Sequence, residues 1–277
     1  MTGIPKGMDH LQQFADTFLG IFEEHRYDGR CDVPIGSLSL EDAYEVQRRV
    51  IAARVVKGER AIGYKVGCTS RAIRQQFGLA EPICGRLMAP HVHHGDIALA
   101  WHAYHRPAVE PEFVLVMGRD LTEVVGDEES LVDAIDCVSP GIEVHNYRFW
   151  LGEPTSQELV ASNGIHAALV VGDLKMRPLG LDLGMEGVGV WLNGDLAASG
   201  IGAEIMGGPL RSLRWLVNHL VRRGEALQAG QLVIPGSPVG LVSVGPGDRV
   251  TAGFTHVGRV EAEFRSDEAR MPAGHRV

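Results

Sequence analysis

This sequence predicts an α+β fold with a β-rich core and a mainly helical N-terminal part, and three observations predict it. Helical periodicity is concentrated in residues 1–60. From about Ala61 the apolar residues fall instead into short β-like runs punctuated by Gly, Pro and Asp, and after that only one long helical pattern recurs. The regular strand–helix alternation of a doubly wound parallel sheet is missing, so that architecture is set aside.

Between Met8 and His25, Leu11, Phe14, Ala15, Phe18, Leu19 and Phe22 recur at helical spacing and predict an amphipathic helix. A second helix is expected from Ser39, where Ser-Leu-Glu-Asp reads as a capping box ahead of the periodic Tyr44 to Val56 stretch. The runs AIGYKVG, VEPEFVLVMG, GIEVHNY, HAALVVGD and VGVWLNGDLAASG follow as candidate strands, with Asn193-Gly194 as a type I′ hairpin turn. The late helix runs from Pro209 through Leu220, with Leu213, Leu216, Val217 and Leu220 on one face and Gly224 closing it. QLVIPGS and DRVTAGF to GRVEAEF then return to strand character, with Gly258 at a turn. The expected organisation is a helical part over 1–60, a β-rich catalytic core over 61–266, and a polar tail over 267–277 without periodicity, expected to be disordered.

With 277 residues, 45% hydrophobic and 22% charged, the chain can build a sizeable core and has neither a disordered nor a fibrous composition. A formal charge of -9, with no basic cluster beyond pairs such as Arg222-Arg223, argues against a nucleic-acid partner. No apolar run is long enough to cross a bilayer and the opening MTGIPKGMDHLQQF lacks a secretory apolar stretch, so a cytoplasmic protein is expected. Cys31, Cys68, Cys84 and Cys137 form no C-x-x-C pair and read as reduced, partly buried thiols without chemistry.

Chemistry concentrates in carboxylates. In VEPEF a strand sends Glu110 and Glu112 to the same face, where they repel unless a positive charge sits between them. Glu143, alone between Ile142 and Val144, can supply a third carboxylate from another strand. All-oxygen ligation of this kind suits a hard divalent cation, Mg²⁺ or Mn²⁺, with about three octahedral positions left for water or a chelating substrate. On spacing alone, solvated strand residues read the same way. In AIGYKVGCTS, Lys65 sits in an apolar, glycine-rich strand end that tends to desolvate its ammonium, which makes it a candidate general base. An ordinary lysine whose stem covers apolar surface fits that segment as well.

The segments GYKVGCTS, EPEFVLVMGRDL, PGIEVHNYRF and LQAGQLVIPGSPVGLVSVGPGDRVTAGFTHVGRVEAEF, in this order from roughly Leu40 to Phe264, resemble the 2-keto-4-pentenoate hydratase branch of the fumarylacetoacetate hydrolase superfamily. That branch also holds the 2-oxohept-3-enedioate hydratases and the 4-oxalocrotonate decarboxylases. The resemblance implies a β-rich core, homo-oligomers, and a small 2-oxo- or 2-hydroxy-dienoic acid substrate derived from aromatic ring cleavage. It places the metal on Glu110, Glu112 and Glu143, the active-site lysine on Lys65, and substrate contacts on Asn163, Arg148 and Ser237. The implied reaction is addition of water to a 2-hydroxy-2,4-dienoate, since the closing GSPVGLVSVGPGD looks more like hydratases than decarboxylases. A 4-oxalocrotonate-type decarboxylase and a C–C bond hydrolase are the alternatives.

Three departures from the family pattern cluster around the expected site. Pro90 stands where the family often has an Asp, in GRLMAPHV. The A-D-N-A-S segment reads ASNGIH, with Ser162 for Asp and Ile165 near the substrate-binding Ser. The V-D-S-R after the third Glu reads HNYR, which keeps only Arg148. His91, His93 and His94 are read as a solvated loop before Gly95-Asp96, and His145 and His166 as alternative proton donors.

Overall fold

The computed structural model describes residues 10–24, 37–146 and 153–266. In chain order the elements are α1 (His10–Glu24), α2 (Leu40–Val56), β1 (Ala61–Gly67), α3 (Arg71–Gln76), β2 (Ile83–Met88), β3 (Val92–His94), β4 (Ile97–Ala100), β5 (Ala108–Met117), α4 (Glu129–Val132) and β6 (Ile135–His145). They continue with α5 (Ser156–Ala161), β7 (His166–Val171), β8 (Gly187–Leu192), β9 (Asp195–Ile201), α6 (Pro209–Arg222), β10 (Leu232–Ile234), β11 (Val242–Ser243), β12 (Arg249–Phe254) and β13 (Gly258–Arg265). This is the α+β, β-rich architecture expected. Among the described residues no helix is long and apolar enough to cross a membrane.

Two sheets carry the fold. The larger runs β2-β1-β10-β5-β6-β7-β3, with β11 also on β5, and the smaller runs β4-β13-β12-β8-β9. Strands distant in sequence come together in parallel, β1 with β10, β3 with β7 and β4 with β13, while the other pairings are antiparallel. The sheets pack on one another through β6, β12 and β13, and Phe113 meets Phe254 edge to face with ring centroids 5.0 Å apart. Since Phe113 faces the smaller sheet, strand alternation turns Glu110 and Glu112 to the opposite face. There Leu87, Val114, Leu169, Val171 and Ile234 form a separate apolar cluster.

Local chemistry explains the elements that were legible. Ser39 caps α2, its Oγ accepting from the Asp42 amide at 3.0 Å. Asn193 (φ 54°) and Gly194 (φ 93°) make the hairpin between β8 and β9, both in the left-handed region that a type I′ turn requires. Phe14, Phe18 and Ile21 of α1 bury against Val46 and Val50 of α2, and Gln47 ties α2 to the core by donating to Cys84 O at 3.0 Å and Val160 O at 2.7 Å. Other features were missed. His93 and His94, read as loop, pair in β3 with Val170 and Val171, because an edge strand of three residues carries too little pattern to see. Strands β2, β4 and β11 and helices α3 to α5 were missed for the same reason. Cys31, Arg148 and the tail 267–277 lie outside the described residues.

Candidate active site and cation centre

The site lies on the face of the larger sheet turned away from the smaller one, where β1, β5, β6 and β7 contribute side chains. Glu110 and Glu143 are directly opposite in the β5–β6 ladder, Glu112 faces Gly141, and His145 at the end of β6 is opposite His166 at the start of β7. Lys65 projects from β1, beside Ile234 of β10. On its other edge β5 pairs with β11 only at Ala108 and Val109 and with β10 only at Leu115 and Val116. Between them Pro111, with no N–H for a ladder, sits in the middle of a sheet where a proline is otherwise excluded. The Pro235–Gly240 turn borders that opening, and the Gly236 amide donates to Glu112 Oε2 at 3.0 Å.

Glu143 is the hub. Its Oε1 accepts from Lys65 Nζ at 2.5 Å and lies 2.7 Å from His166 Nδ1, while its Oε2 lies 3.3 Å from His145 Nε2. The same His145 nitrogen is 3.1 Å from Glu110 Oε2. Glu110, Glu143 and His145 each offer a donor atom within 4.8 Å of the others. Lys65, Glu112, Glu143, His145 and His166 are all buried, and Glu110 is partly exposed. Glu112 stands outside the tightest donor group; one of its oxygens is held by Gly236 and the other, Oε1, is buried without a hydrogen-bond partner among the described residues.

The electrostatics follow from this crowding. Burial, then the charges of Glu143 and Glu110, push the Glu112 carboxyl well above the carboxylate range. Burial also disfavours ionised Glu143, but His145 and Lys65 outweigh it and hold that carboxyl well below its ordinary value. For His145 burial works downward and Glu143 upward, and the result is a value pushed up to about 9. Burial carries His166 downward despite its contact with Glu143. Burial raises the Cys68 thiol to about 11, consistent with its reading as an inert thiol.

Lys65 is aimed by the backbone. Asn163 (φ 62°), Gly164 (φ 65°) and Ile165 (φ 54°) are three consecutive left-handed residues, and the Gly164 carbonyl they present accepts from Lys65 Nζ at 3.3 Å. Only glycine adopts this conformation without strain, and a Cβ on Gly164 would stand 3.3 Å from both Lys65 Cε and Nζ. The Asn163 side chain is engaged elsewhere: its Oδ1 accepts from Arg86 N at 2.6 Å and its Nδ2 donates to Arg86 O at 2.9 Å, covering the free edge of β2. Ser237 Oγ accepts from Val239 N at 3.2 Å, which leaves its hydroxyl proton to donate from the turn beside Glu112. Pro90, His91 and His93 line, with His166 and Tyr104, a cleft of about 390 Å³ that reaches the site at His166.

Buried carboxylates beside one another, with an unpartnered Glu112 oxygen and a His145 ring whose nitrogens both lack hydrogen-bond partners among the described residues, are the donor chemistry of a divalent cation site. His145 and His166 therefore belong to the site more closely than sequence reasoning assigned. For His145 the signal was present, since a residue two beyond Glu143 in a strand shares its face.

Comparison with known proteins finds a family and relatives that match most of the chain. The fumarylacetoacetate (FAA) hydrolase C-terminal domain matches residues 83–265. A 2-keto-4-pentenoate hydratase of Paraburkholderia xenovorans (strain LB400) is 32% identical over 232 residues, 83% of this chain and 86% of that one. A 4-oxalocrotonate decarboxylase of Pseudomonas sp is 32% identical over 229 residues, 80% of this chain and 86% of that one. The solved structure of 4-oxalocrotonate decarboxylase from Pseudomonas putida G7, complexed with magnesium and adipate, superposes with a TM-score of 0.87 at 27% identity, covering 92% of this chain and 97% of that one.

Proposed function

Since this chain belongs to the fumarylacetoacetate hydrolase family, we propose that it is a divalent-metal-dependent lyase that adds water to a 2-hydroxy-2,4-dienoate. The observation that carries the reading is the division of Glu143, one oxygen on the Lys65 ammonium and the other facing Glu110 and His145. A proton carrier and a cation site thus share one carboxylate.

Glu110, Glu112 and Glu143 would hold the ion, Mg²⁺ or Mn²⁺. Bound there, a divalent cation supplies Lewis-acid charge to the carboxylate and 2-oxygen of a 2-oxo acid. Lys65 moves the proton between Nζ and a carbon of the dienol, positioned by Glu143 Oε1 and the Gly164 carbonyl. His166, on the same oxygen, is placed to relay a second proton to or from the cleft it lines, where Pro90 replaces the acid of the family pattern. Water then adds to the remaining double bond. Ser237, beside Glu112, and Arg148 are proposed as substrate contacts, whereas Asn163 acts by holding β2 and the left-handed turn that carries Gly164. The aromatic-degradation context, cytoplasmic location and homo-oligomeric state belong to the same proposal, and light scattering that returns the mass of a single chain would refute the last.

The decarboxylase relative is as similar as the hydratase at 32% identity, so CO₂ loss from 4-oxalocrotonate is the second reading. The deciding experiment incubates the protein with Mg²⁺ and, separately, with Mn²⁺, adds either 2-hydroxypenta-2,4-dienoate or 4-oxalocrotonate, and identifies the products. Hydrated keto acid from the first supports the hydratase, CO₂ from the second supports the decarboxylase, and inertness toward both overturns the lyase reading.

A further inference from the structure

The carboxylates have a neighbour that an all-oxygen site does not provide. His145 lies on the same face of β6 as Glu143, two residues along the strand, and its Nε2 lies 3.1 Å from Glu110 Oε2 and 3.3 Å from Glu143 Oε2. Donors at right angles on an octahedral ion with bonds of about 2.1 Å are about 3.0 Å apart, close to both separations. A hydrogen-bonded imidazole would direct its N–H along the line to one oxygen. Here Nε2 faces two oxygens with a hydrogen-bond angle to neither, and Nδ1 also has no partner among the described residues. The ring is buried between two carboxylate oxygens that it does not engage with hydrogen-bond geometry, and an ion shared by those oxygens and Nε2 would satisfy all three.

We infer that His145 Nε2 is a direct ligand of the cation beside Glu110 and Glu143, making a mixed nitrogen–oxygen centre that selects first-row transition ions over Mg²⁺. This rests on the cation reading above and deepens it. With Glu112 as the third carboxylate, four protein donors leave about two octahedral positions, enough for a chelating 2-oxo acid. An imidazole donor favours Co²⁺ or Mn²⁺ over Mg²⁺, because Mg²⁺ bonds oxygen ligands almost exclusively and gives up its waters reluctantly.

The test measures binding, not turnover. Co²⁺ and Mg²⁺ are titrated calorimetrically into the full-length, metal-stripped protein and into His145→Ala, and the Mn²⁺-loaded forms are examined by pulsed electron paramagnetic resonance. The expected result is a Co²⁺-over-Mg²⁺ preference that falls at least about tenfold in His145→Ala, the scale on which groups around a metal tune affinity. A ¹⁴N coupling to Mn²⁺ should be present in the unsubstituted protein, retained in His166→Gln and lost in His145→Ala. An unsubstituted protein without ¹⁴N coupling overturns the inference even if the variants fail to fold. Loss of the coupling in His166→Gln instead assigns the nitrogen to His166 and overturns it too. Oxygen-only binding leaves the metal-dependent lyase intact and removes only His145, whereas failure of every ion to bind removes both.

Discussion

Replacing Lys65 by Met keeps most of the stem's volume and deletes the ammonium, so it isolates what the amine does. In the folded protein Nζ is buried and bound to Glu143 Oε1 at 2.5 Å and to the Gly164 carbonyl at 3.3 Å. Removing one partner of a buried ion pair costs about 3–5 kcal/mol when the other charge is left alone. Glu143 is not left alone, since His166 Nδ1 remains 2.7 Å from the same oxygen and His145 Nε2 is 3.3 Å from the other. The lower end, about 3 kcal/mol, is therefore expected, and at about 2–4 °C per kcal/mol for a chain of this size the melting temperature should drop by about 6–12 °C. Turnover should fall by about two to four orders of magnitude, the usual worth of a positioned acid–base group. The assay pairs thermal melting with the decay of the dienol chromophore and a calorimetric check that the cation still binds. A folded, cation-binding Lys65→Met protein that keeps more than about a tenth of the turnover would refute the reasoning and pass the proton to His166.

Other expectations follow from the same geometry. Glu112→Gln keeps an acceptor for the Gly236 amide and relieves a carboxyl crowded by Glu110 and Glu143. The metal-free variant should melt higher while cation affinity falls about 10- to 100-fold, and unchanged affinity would strike Glu112 from the ligand set. Gly164→Ala places a Cβ 3.3 Å from Lys65 Nζ. Its kcat should fall by about one to two orders of magnitude with cation affinity preserved, and an unchanged kcat would show that the amine does not need the Gly164 carbonyl. His219, packed against Tyr44 and Trp215, has its imidazole lowered to about 4, first by burial and then by Arg223. Its neutral form is therefore the one that folding favours, and the stability it contributes is present above about pH 6.5 and lost as the pH falls from there through about 4. The melting temperature of the protein should fall relative to that of His219→Leu as the pH is lowered from about 6.5, and parallel curves would exclude the histidine.

What was legible in the sequence depended on period and on local chemistry. Glu110 and Glu112 two apart in a strand, the Ser39 cap and the Asn193-Gly194 turn are patterns within a few residues, and each has its structural counterpart. The burial of Lys65 was legible in the apolar GYKVG setting, but its partner was not, because Lys65 and Glu143 meet only after β1 docks in parallel beside β10, strands separated by more than half the chain. The opening in the ladder beside Pro111 arises from two short strands, β10 and β11, that pair with different ends of β5, and no local period records such an arrangement. His145 was weighed only as a proton donor, although the strand spacing that joined the glutamates also joins it to Glu143. Asn163 was read as touching substrate, and what the sequence did not show is that its amide also holds the backbone of Arg86 at a strand edge.

The two-sided use of Glu143 has a further consequence for timing. Lys65 Nζ and His166 Nδ1 both meet Oε1 while Oε2 turns toward His145, so the carboxylate cannot swing toward one partner without leaving another. A cation drawn to the Oε2 side would fix the same carboxylate that positions the amine, so filling the proposed centre and placing Nζ would be one event. In the proposed reaction the site would then behave as an interlock, with the amine brought to its working position only when the group that polarises the substrate is in place.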